Sequence, residues 1–336
     1  MAINLPASLI NRSLLTLEDL DNRELEGLVD LAIELKREKA AGTRAPKRLA
    51  GRNLAALFEK PSTRTRCAAV VAAADEGACL EYLGKNDIHL GKKESVADTA
   101  RVLGRMFDGI LFRGFAHRTA ELLAEFAAVP VWNGLTDDAH PTQILADLMT
   151  VRENFGQDKG LKMAYLGDGR NNVCNSLMLG CAKFGLNFVN CCPPELAPEA
   201  RWIERARRAA QETGVSIEVE SDPQTAVRGA NVVYTDVWVS MGEEAHFEQR
   251  LALLQPYRVD LPLLEATGQL KRDRLVFLHC LPAFHNHQTE ITAEIGPLEV
   301  TDDVFEAPFS KVFDQAENRM HTIKALMVAT LQKPPD

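Results

Sequence analysis

A chain of 336 residues with 46% apolar and 25% charged side chains has the make-up of a soluble globular protein too long for one core, so two domains are expected. A formal net charge of −9, from 38 basic and 47 acidic residues, argues against a nucleic-acid or anionic-membrane partner. No apolar run reaches the ~18–20 residues of a bilayer span. The start "MAINLPASLINRSLL" lacks the charged lead and apolar core of a signal peptide, which points to the cytoplasm.

The elements alternate along the chain. "NLAALFE" reads as a strand ending at "KPS", and helical spacing follows from Thr63 to about Ala74. "CLEYLG" is a second strand. "ESVADTARVLGRM" spaces Val96, Ala100, Val102, Leu103 and Met106 mostly for one helical face. "GILFRGF" and "VPVWNGL" are strands on either side of the helix "RTAELLAEFA".

A second series starts after the helix "PTQILADLMTVREN". "KMAYLGDG" is a strand, and "NNVCNSLMLGCAKFG" a helix closed by Gly185. "LNFVNCC", "SIEVES", "NVVYTDVW" and "LVFLHCL" are further strands with helices between most of them. This alternation predicts an α/β fold of two doubly wound domains, each a parallel sheet flanked by helices, with the active site in the cleft between them. The boundaries are 1–148 and 149–315, with the C-terminal helix, 316–336, packing back on the first domain. No 20–50-residue repeat or low-complexity segment is present. The seven cysteines show no metal-like spacing, and most are expected as small core residues.

Ligands of open parallel sheets bind beyond the carboxyl ends of the strands. Ser62-Thr63-Arg64-Thr65 follows the first strand and opens a helix, with Ser62 or Thr63 as N-cap. Free N–H groups and the helix dipole favour an anion there, and an arginine adds a charge-assisted fork. The plain alternative is a capped helix with two solvated arginines. Arg113, late in "GILFRGF", either meets an anion or emerges into solvent.

His140 stands just before Pro141 and Thr142, which open a helix. A protonated or N–H-donating imidazole there polarises a carbonyl, and Gln143 holds an amide; the alternative is a loop histidine with no task. "GDGRNN" lacks the third glycine of the dinucleotide fingerprint but offers Asn171 and Asn172 at a helix start. Asp236 offers a carboxylate for an ammonium group, and the 240–242 turn offers backbone donors and acceptors. Cys280 is a candidate contact or acid/base group. The alternatives are a turn-capping aspartate and a buried thiol, and no pattern supports a covalent nucleophile.

In this order, "STRTR", "FRG", "HPTQ", "GDGRNN", "DVWVSMG", "HCLP" and "ENRMHT" resemble the ornithine carbamoyltransferases over nearly the whole chain. "STRTR" and "HPTQ" alone mark a transcarbamoylase; "SMG" after Asp236, with "HCLP", points to ornithine. The resemblance implies carbamoyl phosphate bound by Ser62, Thr63, Arg64, Thr65, Arg113, His140 and Gln143, with Arg319 reaching it from the C-terminal helix. His89 in "DIHLG" is implied to act across a subunit boundary, which makes the active unit a homotrimer or an assembly of trimers. Ornithine is implied at Asn172, Asp236, Ser240 and Met241, with Cys280 and Leu281 beside the reacting amine and also in contact with carbamoyl phosphate. One departure is Asn286, since many relatives read "HCLPAFHD" where this chain reads "HCLPAFHN".

The implied reaction is attack of the δ-amine of L-ornithine on the carbonyl carbon of carbamoyl phosphate, giving L-citrulline and phosphate in arginine metabolism. An amine of pKa ~10.4 is neutral in only about one molecule in a few thousand at pH 7, so the site must select or generate that form. Arg113, His140, Cys280 and Asp236 are the expected catalytic groups, and no metal or organic cofactor is required. The rivals are a transcarbamoylase for aspartate, putrescine or an N-acylornithine, and a catalytically silent metabolite-binding homologue. A nicotinamide-dependent dehydrogenase is disfavoured by the missing glycine.

Overall fold

The computed structural model describes residues 7–42, 47–91, 93–156, 159–239 and 246–332. Its contacts divide the chain into two compact units, residues 1–149 with 316–336, and residues 150–315.

The first unit opens with α1 (Asn22–Ala40), which the reading of strand and helix signals passed over. A local signal for it existed. Asp21 accepts the Glu24 N–H at 2.8 Å, while the Glu24 carboxylate takes the Asp21 N–H at 2.9 Å, a reciprocal capping box. There follow β1 (Asn53–Phe58), α2 (Thr63–Asp75), β2 (Cys79–Gly84), α3 (Val96–Met106), β3 (Gly109–Arg113), α4 (His117–Phe126), β4 (Val131–Leu135) and α5 (Pro141–Phe155), whose residues from Thr150 on fall in the second unit. The strands are parallel in the order β2-β1-β3-β4. The central strands β1 and β3 are covered on both faces, so they read as continuous apolar runs rather than alternating ones. The chain leaves β1 for its neighbour on one side, β2, and later fills the other side with β3. That reversal makes a switch point, with Phe58 of β1 paired to Arg113 of β3.

In α3 the expected apolar stripe is only partly used. Ala100 and Leu103 are buried, whereas Val102 and Met106 are exposed. Residues 102 and 106 lie 200° and 240° around a 3.6-residue helix from Ala100 in steps of about 100°, off the face that 100 and 103 share.

The second unit contains β5 (Lys162–Leu166), α6 (Asn172–Phe184), β6 (Asn187–Cys191), α7 (Ala200–Thr213), β7 (Ile217–Glu220), α8 (Pro223–Val227), β8 (Val232–Thr235), α9 (Phe247–Leu254), α10 (Leu261–Glu265), β9 (Val276–His279), α11 (Thr292–Ile295) and α12 (Asp302–Phe305). Its five strands are parallel in the order β7-β6-β5-β8-β9, so the switch point falls between β5 and β8. Gly185 ends α6 at φ 86°, a left-handed geometry that glycine takes at little cost. Trp238, Leu254, Val259, Phe277 and Val300 form the centre of this unit's core.

The terminal helix α13 (Val312–Leu331) begins a turn before the expected Ala316. From residue 316 it belongs to the first unit. There Thr330 accepts the Trp132 indole N–H at 3.1 Å, and the buried Lys324 ammonium meets Asp75 at 2.6 Å. Both units are thus α/β with parallel sheets flanked by helices, as the strand–helix alternation predicts. Among the described residues no helix is long and apolar enough to cross a membrane. Five of the seven cysteines are buried, and Cys67 and Cys79 are exposed.

Candidate active site

At the first switch point the chain turns from β1 into α2 through Ser62, which is the N-cap: its hydroxyl accepts the Thr65 N–H at 3.2 Å. The two arginines of this stretch part company. Arg66 is exposed and stacks its guanidinium 3.7 Å from the centre of the Tyr82 ring, a cation–π contact on the edge strand β2. Arg64 is half-buried and faces inward among the groups around His140. Lys60, in the loop before the cap, is tied to Asp137 at 2.6 Å, which joins the exits of β1 and β4.

Arg113 ends β3 and is 6% exposed, which rules out the solvated alternative. The backbone registers it against the β1 exit, since the Glu59 N–H donates to its carbonyl at 2.8 Å. Arg319 comes in from α13 and donates to the Thr65 hydroxyl at 3.2 Å, so residues 254 positions apart share one hydrogen bond. His140 is 1% exposed at the start of α5. Burial, then the positive charges of Arg319, Arg113 and Arg64, hold its pKa well below the ordinary histidine value. The same causes favour the neutral, N–H-donating form of the imidazole over the protonated one. Gln143 lies one turn on; its amide nitrogen donates to buried Asp147 at 2.6 Å, which makes the carbonyl oxygen the acceptor it can offer.

Three guanidiniums, a hydroxyl-capped helix start and one neutral imidazole thus collect at the carboxyl end of a single sheet. This set suits a small polyanion bearing a carbonyl group: charge for the anion, an N–H for the carbonyl oxygen. His89 is exposed, in the segment following β2, and no described contact ties it to this set within the chain.

The second switch point carries the opposite character. Asp168 follows β5; its Oδ1 accepts the Arg170 N–H at 2.9 Å, and its other oxygen pairs with the buried Arg250 of α9. Gly169 admits no side chain, because a Cβ would lie 2.7 Å from both the Cys192 sulfur and the Leu196 carbonyl oxygen. Asn171 caps α6, and its amide nitrogen donates to Asp236 Oδ2 at 3.2 Å. Asn172, half-buried, is the first residue of α6. Asp236 follows β8 and is 6% exposed. Burial pushes its carboxyl above the ordinary aspartate range, and His279, the Val237 N–H at 2.9 Å and the Asn171 amide oppose that shift.

Beyond β9, Cys280 is buried and forms no disulfide. Leu281 adopts φ 56° and donates its N–H to His279 Nδ1 at 2.9 Å. The proton of that ring therefore lies on Nε2, facing Glu299 at 3.1 Å. Asn286 donates to Asp302 at 3.3 Å, so the amide at this position avoids the repulsion that a second carboxylate would meet. Ser240 and Met241 lie outside the described residues.

Sequence reasoning did not single out Asp168, Arg250, His279 or Glu299 as parts of this arrangement. Asp168 and His279 sit inside motifs it quoted; Arg250 and Glu299 sit in none, because their partners lie 82 and 20 positions away.

A family model described as the carbamoyl-P binding domain of aspartate/ornithine carbamoyltransferase matches residues 12–153, and one described as the Asp/Orn binding domain matches residues 159–330. The chain is 55% identical to "Ornithine carbamoyltransferase 2, catabolic" of Staphylococcus epidermidis over 98% of its length and 99% of that protein's. It is also 55% identical to the catabolic ornithine carbamoyltransferase of Bacillus licheniformis, with the same coverage. Among solved structures, ornithine carbamoyltransferase from Pyrococcus furiosus superposes with a TM-score of 0.89 at 42% identity, covering 96% of this chain and 98% of that one. The chain belongs to the aspartate/ornithine carbamoyltransferase family.

Proposed function

We propose that this protein transfers the carbamoyl group of carbamoyl phosphate to the δ-amine of L-ornithine, giving L-citrulline and phosphate. The observation that carries the reading is the convergence of Arg64, Arg113 and Arg319 on a neutral His140 beside a hydroxyl-capped helix start. The names of the relatives supply the amine: those at 55% identity are ornithine carbamoyltransferases.

In this reading the first unit holds carbamoyl phosphate. The phosphoryl oxygens lie against the Ser62–Thr65 helix start, Arg64 and Arg319, where N–H groups and fixed cations stabilise the leaving dianion. Arg113 and the N–H of His140 face the carbonyl oxygen and stabilise the charge that develops there when the amine adds. Donors of this kind contribute roughly 3–4 kcal/mol each in comparable acyl transfers. A neutral imidazole donates without adding a fourth cation to the cluster. The Gln143 carbonyl accepts from the carbamoyl NH₂. His89 is assigned to the phosphate of a neighbouring subunit's substrate; its exposure beyond an edge strand supports this, and the active unit is then a homotrimer.

The second unit holds ornithine. Asp236 receives the α-ammonium, Asn172, Ser240 and Met241 hold the amino-acid head group, and Cys280 with Leu281 lies beside the δ-nitrogen and the carbamoyl group. Attack forms the C–N bond, collapse expels phosphate, and the surplus amine proton leaves with it or to solvent. The same contacts serve either direction, since forward and reverse reactions cross one transition state. The acidic overall charge fits a cytoplasmic enzyme of arginine metabolism acting on small metabolites.

The test is an assay of the purified protein with carbamoyl phosphate and, in parallel, L-ornithine, putrescine, N-acetylornithine and L-aspartate. Citrulline formation with a kcat/KM for ornithine at least about 10²-fold above the other amines is expected, since putrescine and N-acetylornithine lack a head-group charge the site has polar groups placed for, and L-aspartate lacks the δ-amine. Preference for putrescine, or binding without turnover, would overturn the assignment.

A further inference from the structure

We infer that Asn171 is a positioning residue for the Asp236 carboxylate and thereby sets the affinity for the amine substrate. The inference rests on the assignment of Asp236 to the substrate's α-ammonium.

One side chain here has two fixed partners. Asn171 Oδ1 accepts the Val173 N–H at 2.7 Å and caps α6; Nδ2 donates to Asp236 Oδ2 at 3.2 Å. With the oxygen committed to the helix, the NH₂ must face the carboxylate. The other carboxylate oxygen accepts the Val237 N–H at 2.9 Å. Asp236 is thus gripped from both sides of the switch point, by the turn after β5 and by its own strand exit. The turn is anchored in its own right through Asp168, which binds the Arg170 N–H and Arg250.

The residue type matters because of charge. An arginine or lysine at 171 would neutralise Asp236, whereas an amide holds it and leaves its full negative charge for an incoming ammonium. Serine would cap the helix but is too short to reach Asp236. Aspartate would cap it equally well and set a second carboxylate against the first. The other ionisable groups around Asp236 are His279 of β9 with its partner Glu299, Tyr165 of β5, Cys174 of α6 and Asp168.

The two cap-preserving substitutions separate positioning from helix stability. For Asn171→Ser, KM for ornithine should rise about 10- to 100-fold, the range for losing one hydrogen bond to a charged group. The melting temperature and KM for carbamoyl phosphate should stay at wild-type values. For Asn171→Asp, the like charge raises the pKa of Asp236, so the acid limb of log(kcat/KM) for ornithine should move to higher pH. The inference is overturned if both variants keep the wild-type KM and acid limb. It is equally overturned if their losses track a lower melting temperature and a matching rise in KM for carbamoyl phosphate. A wild-type protein that forms no citrulline would instead remove the functional reading, and the two failures are distinct.

Discussion

The two switch points are built by the same rule and differ in charge, the first cationic and the second offering the Asp236 carboxylate beside an Asp168 already paired with Arg250. In the first unit the crevice between β1 and β3 gathers Arg64, Arg113 and Arg319 around His140; in the second, the crevice between β5 and β8 gathers Asp168, Asn171 and Asp236. Strand order creates the place in both cases, because crossovers that diverge from neighbouring strands leave a gap at their carboxyl ends. Side chains then decide which ligand enters. Burial acts in opposite senses on the two central groups: it holds the His140 pKa down among cations, and it holds the Asp236 carboxyl above the ordinary aspartate range against the opposing pull of His279 and the N–H donors. A parallel sheet is therefore no predictor of substrate; the charge of its switch point is.

The comparison breaks most visibly on the cationic side. Arg64→Ala should lower kcat by about 10³-fold or more, with an unchanged circular dichroism spectrum and melting curve, because in the proposed reading the guanidinium serves the leaving phosphate rather than the core. Near-normal turnover would show that the anion binds elsewhere. A smaller effect is expected at the acidic switch point. Asp236→Asn should cost about 10²-fold in kcat/KM for ornithine while leaving carbamoyl phosphate binding intact, measured by titration calorimetry with each ligand. Equal loss of both ligands would mean that the two sites are not chemically separate.

The smallest effect concerns stability. His140 and His321 are both buried with lowered pKa values, that of His321 about 4 against an ordinary 6.5, through burial first. The native state then binds fewer protons than the unfolded chain below pH ~6.5, so stability is complete above that pH and declines as the pH falls toward about 4. Melting temperatures across pH 4–8 should show this decline, and His321→Gln should make it shallower. A slope unaffected by the substitution would assign the acid sensitivity to His140 or to the carboxylates.

The central strands were legible in the sequence because they are buried on two faces and print continuous apolar runs such as "NLAALF" and "GILFR". Gly185 was legible for a local reason, since the left-handed end of α6 favours that residue. What local pattern missed is also informative. Helix α1 was signalled by its capping box but lacked a neighbouring strand to frame it, and the exposure of Val102 and Met106 depends on which face of α3 the sheet covers. Arg64 and Arg66 are interchangeable as letters. Only the position of the Tyr82 ring shows that Arg66 stacks outward.

By itself the sequence determined the alternation of strands and helices, the motifs at strand ends and the family they resemble, since each of these is written within a dozen neighbouring residues. The tertiary structure alone decided which polar groups meet: Arg319 with Thr65, Arg250 with Asp168, His279 with Glu299 and Asn171 with Asp236. The physical reason is range. Hydrogen bonding within a helix or turn depends on adjacent residues, whereas the pKa of a buried group depends on charges brought near it from anywhere in the chain.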